Sequence, residues 1–115
     1  MSSYELERLD DGEPGTVRVR LGGELDLTNA RALEARLAQI APPDARLVID
    51  LNRVVFVDSA ALHMLFKVAR RHEKGKLVLI LEPTAPIARA IAIVGLDQAA
   101  QVLASTDEPS AAHLI

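Results

Sequence analysis

Cysteine is absent from this 115-residue chain, which excludes disulfides, thiolate nucleophiles and cysteine-ligated metals. Tryptophan is absent too, and only Tyr4, Phe56 and Phe66 are aromatic. Three rings offer no platform on which nucleic-acid bases could stack. No excess of positive charge compensates: the formal net charge is −3, without the electrostatic footprint of a nucleic-acid binder. Although half the residues are hydrophobic, no apolar run approaches the roughly 18 residues that suggest a membrane span. The opening MSSYELERLDDGE is acidic and lacks the basic-then-apolar layout of a secretory leader. These absences predict a cytoplasmic protein with no membrane span and no direct nucleic-acid contact. The apolar residues that are present suffice for one core, so residues 1–115 read as a single domain.

The patterning gives the layout. Tyr4 to Leu9 reads as a short strand, followed by a turn at Asp11-Gly12-Glu13-Pro14-Gly15. From Thr16 to Leu21 the chain alternates, with Val17, Val19 and Leu21 on one face and Arg18 and Arg20 on the other. That is a half-buried strand, hairpinned to the first and ended by Gly22-Gly23. Thr28 or Asn29 caps a helix whose apolar face carries Ala30, Leu33, Leu37 and Ile40, and Pro42-Pro43 stops it. LVIDL (47–51) and LVLIL (77–81) are compact apolar runs suited to interior strands. Between them VVFV forms a connection, and a helix opens near Asp58-Ser59 with Leu62, Leu65, Phe66 and Ala69 along its inner face. It ends before Gly75, with Arg70, Arg71 and Lys74 at the negative end of the helix dipole. A third helix begins around Thr84-Ala85-Pro86 and stops near Gly95. Val102-Leu103 forms an edge strand, and Thr106 to Pro109 opens a terminal helix. The predicted class is α/β: a small mixed β-sheet with helices packed against it.

Within this frame VDSAAL (57–62) carries the most chemistry. Asp58 and Ser59 are both good N-caps, because a side-chain oxygen accepts an orphan backbone N–H. A hydroxyl in the first helical turn is also a place where phosphate is tolerated, facing free N–H groups and the positive end of the dipole. Local physics permits both uses of Ser59 and selects neither.

Three stretches add to this: GELDLTNARALEARL (23–37), LVIDLNRVVFVDSAALHML (47–65) and GLDQ (95–98). Together, in order from about Thr16 to Leu103, they resemble the STAS domain of anti-sigma-factor antagonists. The strongest element is Val54, Phe56, Val57, Asp58, Ser59 and Leu62. The resemblance implies a small sheet with helices mainly on one side. It implies that Ser59 is the serine phosphorylated by a partner kinase, an anti-sigma factor of the histidine-kinase-like ATPase type. It further implies that Asp58 and Asp26 belong to the acidic surface around the acceptor, and that a PP2C-like phosphatase resets the switch. Members of the family usually carry Ser or Thr and then Gly after the acceptor. Here Ala60 and Ala61 stand there, removing a second hydroxyl and adding a methyl where a partner approaches. The resemblance implies no enzyme activity and no cofactor, and leaves room for a homo-oligomer.

Other residues carry weaker signals. Asp26 is also suited to ending a strand and capping the next helix, and Asp50 reads as a structural hydrogen-bonding group. Lys67, Arg70, Arg71 and Lys74 form one helical stripe, normally a solvated face. Met64 and Val68 lie beside it, either as an apolar contact for a partner, with Met64 in the binding set, or as cover for the core edge. His63, His72 and His113 have no metal-ligand spacing with nearby acids. His63, four residues after Ser59, raises a hydrolase reading, but VDSAA is not a glycine-flanked nucleophile elbow. The STAS resemblance also admits a second reading, in which the chain is an accessory subunit of a bacterial lipid or solute transporter and touches an ATPase subunit with the same helix.

Overall fold

The computed structural model describes residues 3–9 and 13–104. Five strands, β1 (Tyr4–Leu9), β2 (Thr16–Leu25), β3 (Arg46–Val57), β4 (Leu77–Leu81) and β5 (Gln101–Ala104), form one sheet in the order β1-β2-β3-β4-β5. Only β1 and β2 pair antiparallel; the remaining neighbours are parallel. The parallel pairs are joined by helices α1 (Ala30–Ile40), α2 (Ser59–Arg71) and α3 (Pro86–Val94), the last followed by a 3-10 turn at Leu96–Gln98. This is the expected mixed sheet. The turn residues Asp11 and Gly12, the helix expected from Thr106, and His113 lie outside the described residues.

The period-2 pattern decides which face is covered. Val17, Val19 and Leu21 of β2, Leu47, Ile49 and Leu51 of β3, and Leu77, Leu79 and Leu81 of β4 all point to one side. They meet Leu33 and Leu37 of α1, Leu62, Met64, Leu65 and Val68 of α2, and Ile87 and Ile91 of α3 in one continuous core. The opposite face holds a small cluster of Val48, Val78 and Ile80 beside Leu103, with Arg20 linking Glu7 and Asp50 through contacts of 3.4 and 3.7 Å. Among the described residues the helical side chains of the core all lie on the first face. Of the residues expected on the apolar helix faces, Ile40 and Phe66 are only partly buried, packed against the edge of the core.

Two strands run further than the sequence suggests. Gly22-Gly23 does not end β2, which continues to Leu25. Gly23 has φ +85°, and a Cβ there would lie 2.5 Å from the Ser3 carbonyl oxygen; glycine lets the strand bend past that carbonyl rather than stop. VVFV is no loose connection either: it is the distal end of β3, paired with Gly23 to Leu25 of β2. The register skips a residue on β3 between Val54 and Phe56, so Val55 sits in a bulge. Its pairing with β4 ends at Asp50–Ile80, where Asn52 Oδ1 accepts the Glu82 N–H at 2.9 Å. Beyond that point β3 overhangs its neighbour and carries the chain to the start of α2.

Candidate regulatory site

The site forms where the ends of β2 and β3 meet the starts of α1 and α2. After Leu25 the chain makes a tight loop organised by two polar side chains. Asp26 Oδ1 accepts the Thr28 N–H at 2.9 Å and the Thr28 hydroxyl. Its backbone carbonyl accepts the N–H groups of Asn29 and Ala30. Asn29 does not cap α1 with its side chain as the sequence suggests. It turns back, accepting the Asp26 N–H at 3.0 Å and donating to the Glu24 carbonyl at 2.8 Å. The reason is burial: Asn29 is almost sealed, and a buried amide must use both its donor and its acceptor.

Asp58 locks this loop to the second helix. Its Oδ1 accepts the Ala61 N–H at 2.9 Å, the capping bond of α2, and its Oδ2 accepts the Leu27 N–H at 3.0 Å. The backbone closes the same junction, with the Asp58 N–H donating to the Leu25 carbonyl at 3.2 Å. Asp58 is therefore the cap, and Ser59 is relieved of that task. Ser59 is the first residue of α2 and exposed, and its hydroxyl forms no hydrogen bond among the described residues. Asp26, Asp58 and Ser59 are thus brought to one end of the fold, two fixed carboxylates flanking one free hydroxyl.

Met64 is not part of that surface. It is only 2 % exposed and belongs to the core, because α2 packs against α1 as well as the sheet and the stripe beside Leu65 is covered too. Val68 is buried for the same reason. What Met64 offers outside is the floor of a groove between α1 and α2, about 410 Å³, whose rim includes Arg31, Glu34, His63 and Lys67. Ala61, where the family usually has glycine, is fully buried; its methyl points into the core and adds nothing to the outer surface. Arg71 likewise leaves the solvated stripe. Its Nη1 donates to the Ala41 carbonyl at 3.0 Å, and its Nη2 lies 3.2 Å from His72 Nε2.

Sequence reasoning passed over the apolar surface that flanks Ser59. Leu27, Val55 and Phe56 are 77, 78 and 52 % exposed. Val54 to Val57 also line a groove of about 400 Å³ against Ala85, Pro86, Ile87 and Ala90 at the start of α3. The signal was present in the run VVFV: adjacent large apolar residues cannot all face one core from a strand of period 2. Ser59 and His63 share no hydrogen bond, and no group of three or more His, Asp or Glu among the described residues is placed to hold a metal ion. No helix among those residues is long and apolar enough to cross a membrane.

The capping carboxylate of Asp58, the exposed Ser59 and the exposed apolar side chains of Leu27, Val55 and Phe56 thus gather where β2 and β3 meet α1 and α2. Residues 9–104 match the family described as Mlab, STAS domain, and the chain belongs to that family. Among individual proteins it is similar to BtrV of Bordetella bronchiseptica, assigned as an anti-sigma factor antagonist, with 40 % identity over 62 residues, 51 % of this chain and 53 % of that protein. The chain thus matches about half the length of this curated relative. The crystal structure of an anti-sigma factor antagonist from Mycobacterium paratuberculosis superposes with a TM-score of 0.72 at 25 % identity, covering 96 % of this chain and 92 % of that one. The antagonist SpoIIAA in its unphosphorylated form shares the fold with a TM-score of 0.68 at 19 % identity, covering 98 % of each chain. The phosphorylated form of SpoIIAA, a Bacillus cell fate determinant, gives 0.66 at 20 % identity, covering 98 % of this chain and 100 % of that one.

Proposed function

We propose that this STAS domain is an anti-sigma-factor antagonist switched by phosphorylation of Ser59. The observation that carries the reading is the division of labour at the α2 start: Asp58 does the capping and leaves the Ser59 hydroxyl exposed and unbonded. In the unmodified state, Leu27, Val55 and Phe56 and the carboxylates of Asp26 and Asp58 dock an anti-sigma factor of the histidine-kinase-like ATPase type, which frees its sigma factor. That partner transfers phosphate from ATP to Ser59. The new group brings roughly −1.5 to −2 charges. Within this chain it faces the open end of α2 and its dipole. Within the complex it must be desolvated beside Asp58, which favours dissociation. A PP2C-like phosphatase restores the binding form.

The test is incubation with the cognate kinase and ATP, the kinase first identified by pull-down from the native host. Wild type gains one phosphate and Ser59→Ala none. Ser59 forms no capping bond, so its replacement changes stability by no more than about 0.5 kcal/mol, as for other surface positions. Ser59→Ala keeps full affinity for the partner, whereas Ser59→Asp and Ser59→Glu bind more weakly. Phosphate found on another residue, or equal affinity for Ser59→Ala and the phosphorylated wild type, overturns the switch. Recovery of a transporter ATPase in place of a kinase turns the assignment to the transporter subunit.

A further inference from the structure

The groove between α1 and α2 opens one residue beyond Ser59, with Ala60 on its rim, and its charged groups are mostly cationic. Arg31 and Glu34 enter from α1, His63 and Lys67 from α2, and the loop contributes the uncharged Leu27 and Thr28. His63 is exposed and stands four residues after Ser59 on the same helix. At that spacing Cβ atoms lie about 5–6 Å apart on one face. Helical side chains also lean toward the helix N-terminus, which carries the imidazole back over the Ser59 position. The Asp58 carboxylate cannot turn toward His63 without giving up a backbone N–H, since one oxygen holds that of Leu27 and the other that of Ala61.

Resting on the phosphorylation reading above, we propose that His63 is the built-in counter-ion of a phosphate on Ser59, pairing with it along the first turn of α2 at the mouth of the α1–α2 groove. The imidazolium donates a hydrogen bond to a phosphate oxygen, a charge-assisted contact. The second phosphate ionisation lies at about pH 6, and a cationic partner beside it favours the dianion. The charge presented by the modified surface therefore depends on pH around that phosphate ionisation. Arg31 and Lys67 add a positive field from the rest of the groove, while Glu34 and Asp58 oppose it. His63 thus becomes a positioning residue for the modified state and idle in the unmodified one.

The experiment installs phosphoserine at position 59 during translation and needs no kinase, so its outcome is independent of whether the switch is used in the cell. Site-resolved NMR follows the His63 ring in the Ser59 and phosphoserine-59 proteins, and ³¹P NMR follows the phosphate. Phosphorylation should raise the His63 midpoint by roughly 0.5–1 pH unit, as expected for a dianion a few ångströms away at the surface. The phosphate midpoint should rise when His63→Gln removes its partner, while Lys67→Gln moves it less. An unchanged His63 midpoint on phosphorylation, or a phosphate midpoint indifferent to His63→Gln, overturns the pairing. The kinase assay of the preceding section separately decides whether Ser59 is modified at all.

Discussion

At the scale of single residues, Asp58 and Met64 separate binding from folding. Asp58 spends both carboxylate oxygens on backbone N–H groups, one from the β2–α1 loop and one from α2. Asp58→Ala removes an N-cap, worth about 0.5–2 kcal/mol, and also lets the Leu27 loop drift from Ser59. Partner affinity should fall by more than the stability loss accounts for. Met64 has the opposite balance. Sealed between α1, α2 and the sheet, Met64→Ala opens a cavity costing about 2–5 kcal/mol while leaving the outer surface in place. Matched thermal melts and binding isotherms on the two variants read the difference. An Asp58→Ala protein with wild-type affinity would remove that residue from the contact surface. Asp58 was legible in the sequence because Asp before a helical pattern is a strong cap signal. Met64 was not: periodicity gives the direction of a side chain but not whether a second helix lies over it.

At the scale of elements, the sequence resolved the five strands and three α-helices among the described residues, missed the 3-10 turn at Leu96–Gln98 and misjudged two strand ends. Glycine pairs read as stops, yet Gly22-Gly23 is a place where β2 bends past Ser3 and continues. VVFV read as a connection because its alternation is broken, and the break is the bulge at Val55. Pairing across strands, which single-sequence patterns do not carry, decided both. The overhang has a consequence for binding. Val55 and Phe56 lie past the last β3–β4 pair, so their side chains contribute little to the core and much to the exposed apolar surface near Ser59. Phe56→Ser should leave the melting temperature within about 2 °C, as a surface change of no more than ~0.5 kcal/mol implies for a domain of this size. It should weaken partner binding at least tenfold, the behaviour of an aromatic anchor worth more than about 1.4 kcal/mol. Unchanged affinity with a lowered melting temperature would instead make Phe56 a core residue and move the interface elsewhere.

At the scale of the whole molecule, one titrating group ties the two helices to the sheet at the end remote from Ser59. His72 ends α2 and is buried, its Nδ1 3.0 Å from the Ala45 carbonyl at the entry to β3 and its Nε2 3.2 Å from Arg71 Nη2. Arg71 in turn holds the Ala41 carbonyl just after α1. In the neutral ring, Nδ1–H donates to Ala45 and Nε2 accepts from Arg71. Burial holds the imidazole pKa below 6.5, the Arg71 charge adds to that, and the carbonyl contacts of Ala45 and Pro43 oppose it. The folded state therefore binds the proton less readily than the unfolded chain, and stability falls as protons are supplied. The contribution is complete above about pH 6.5, the unfolded value. It is lost as pH drops from there toward the lower folded value, with a slope of at most about 1.4 kcal/mol per pH unit. His72→Gln keeps a donor for Ala45 and an acceptor for Arg71 but cannot take up the proton. Urea unfolding from pH 7.5 to 5 should show the wild type losing stability relative to this variant only below about pH 6.5. Parallel curves would mean that protonation leaves this junction intact. The same series reports on Ser59 at the far end: because His72 lies a full helix away, partner affinity measured at protein concentrations where the fold holds should not follow the His72-dependent loss.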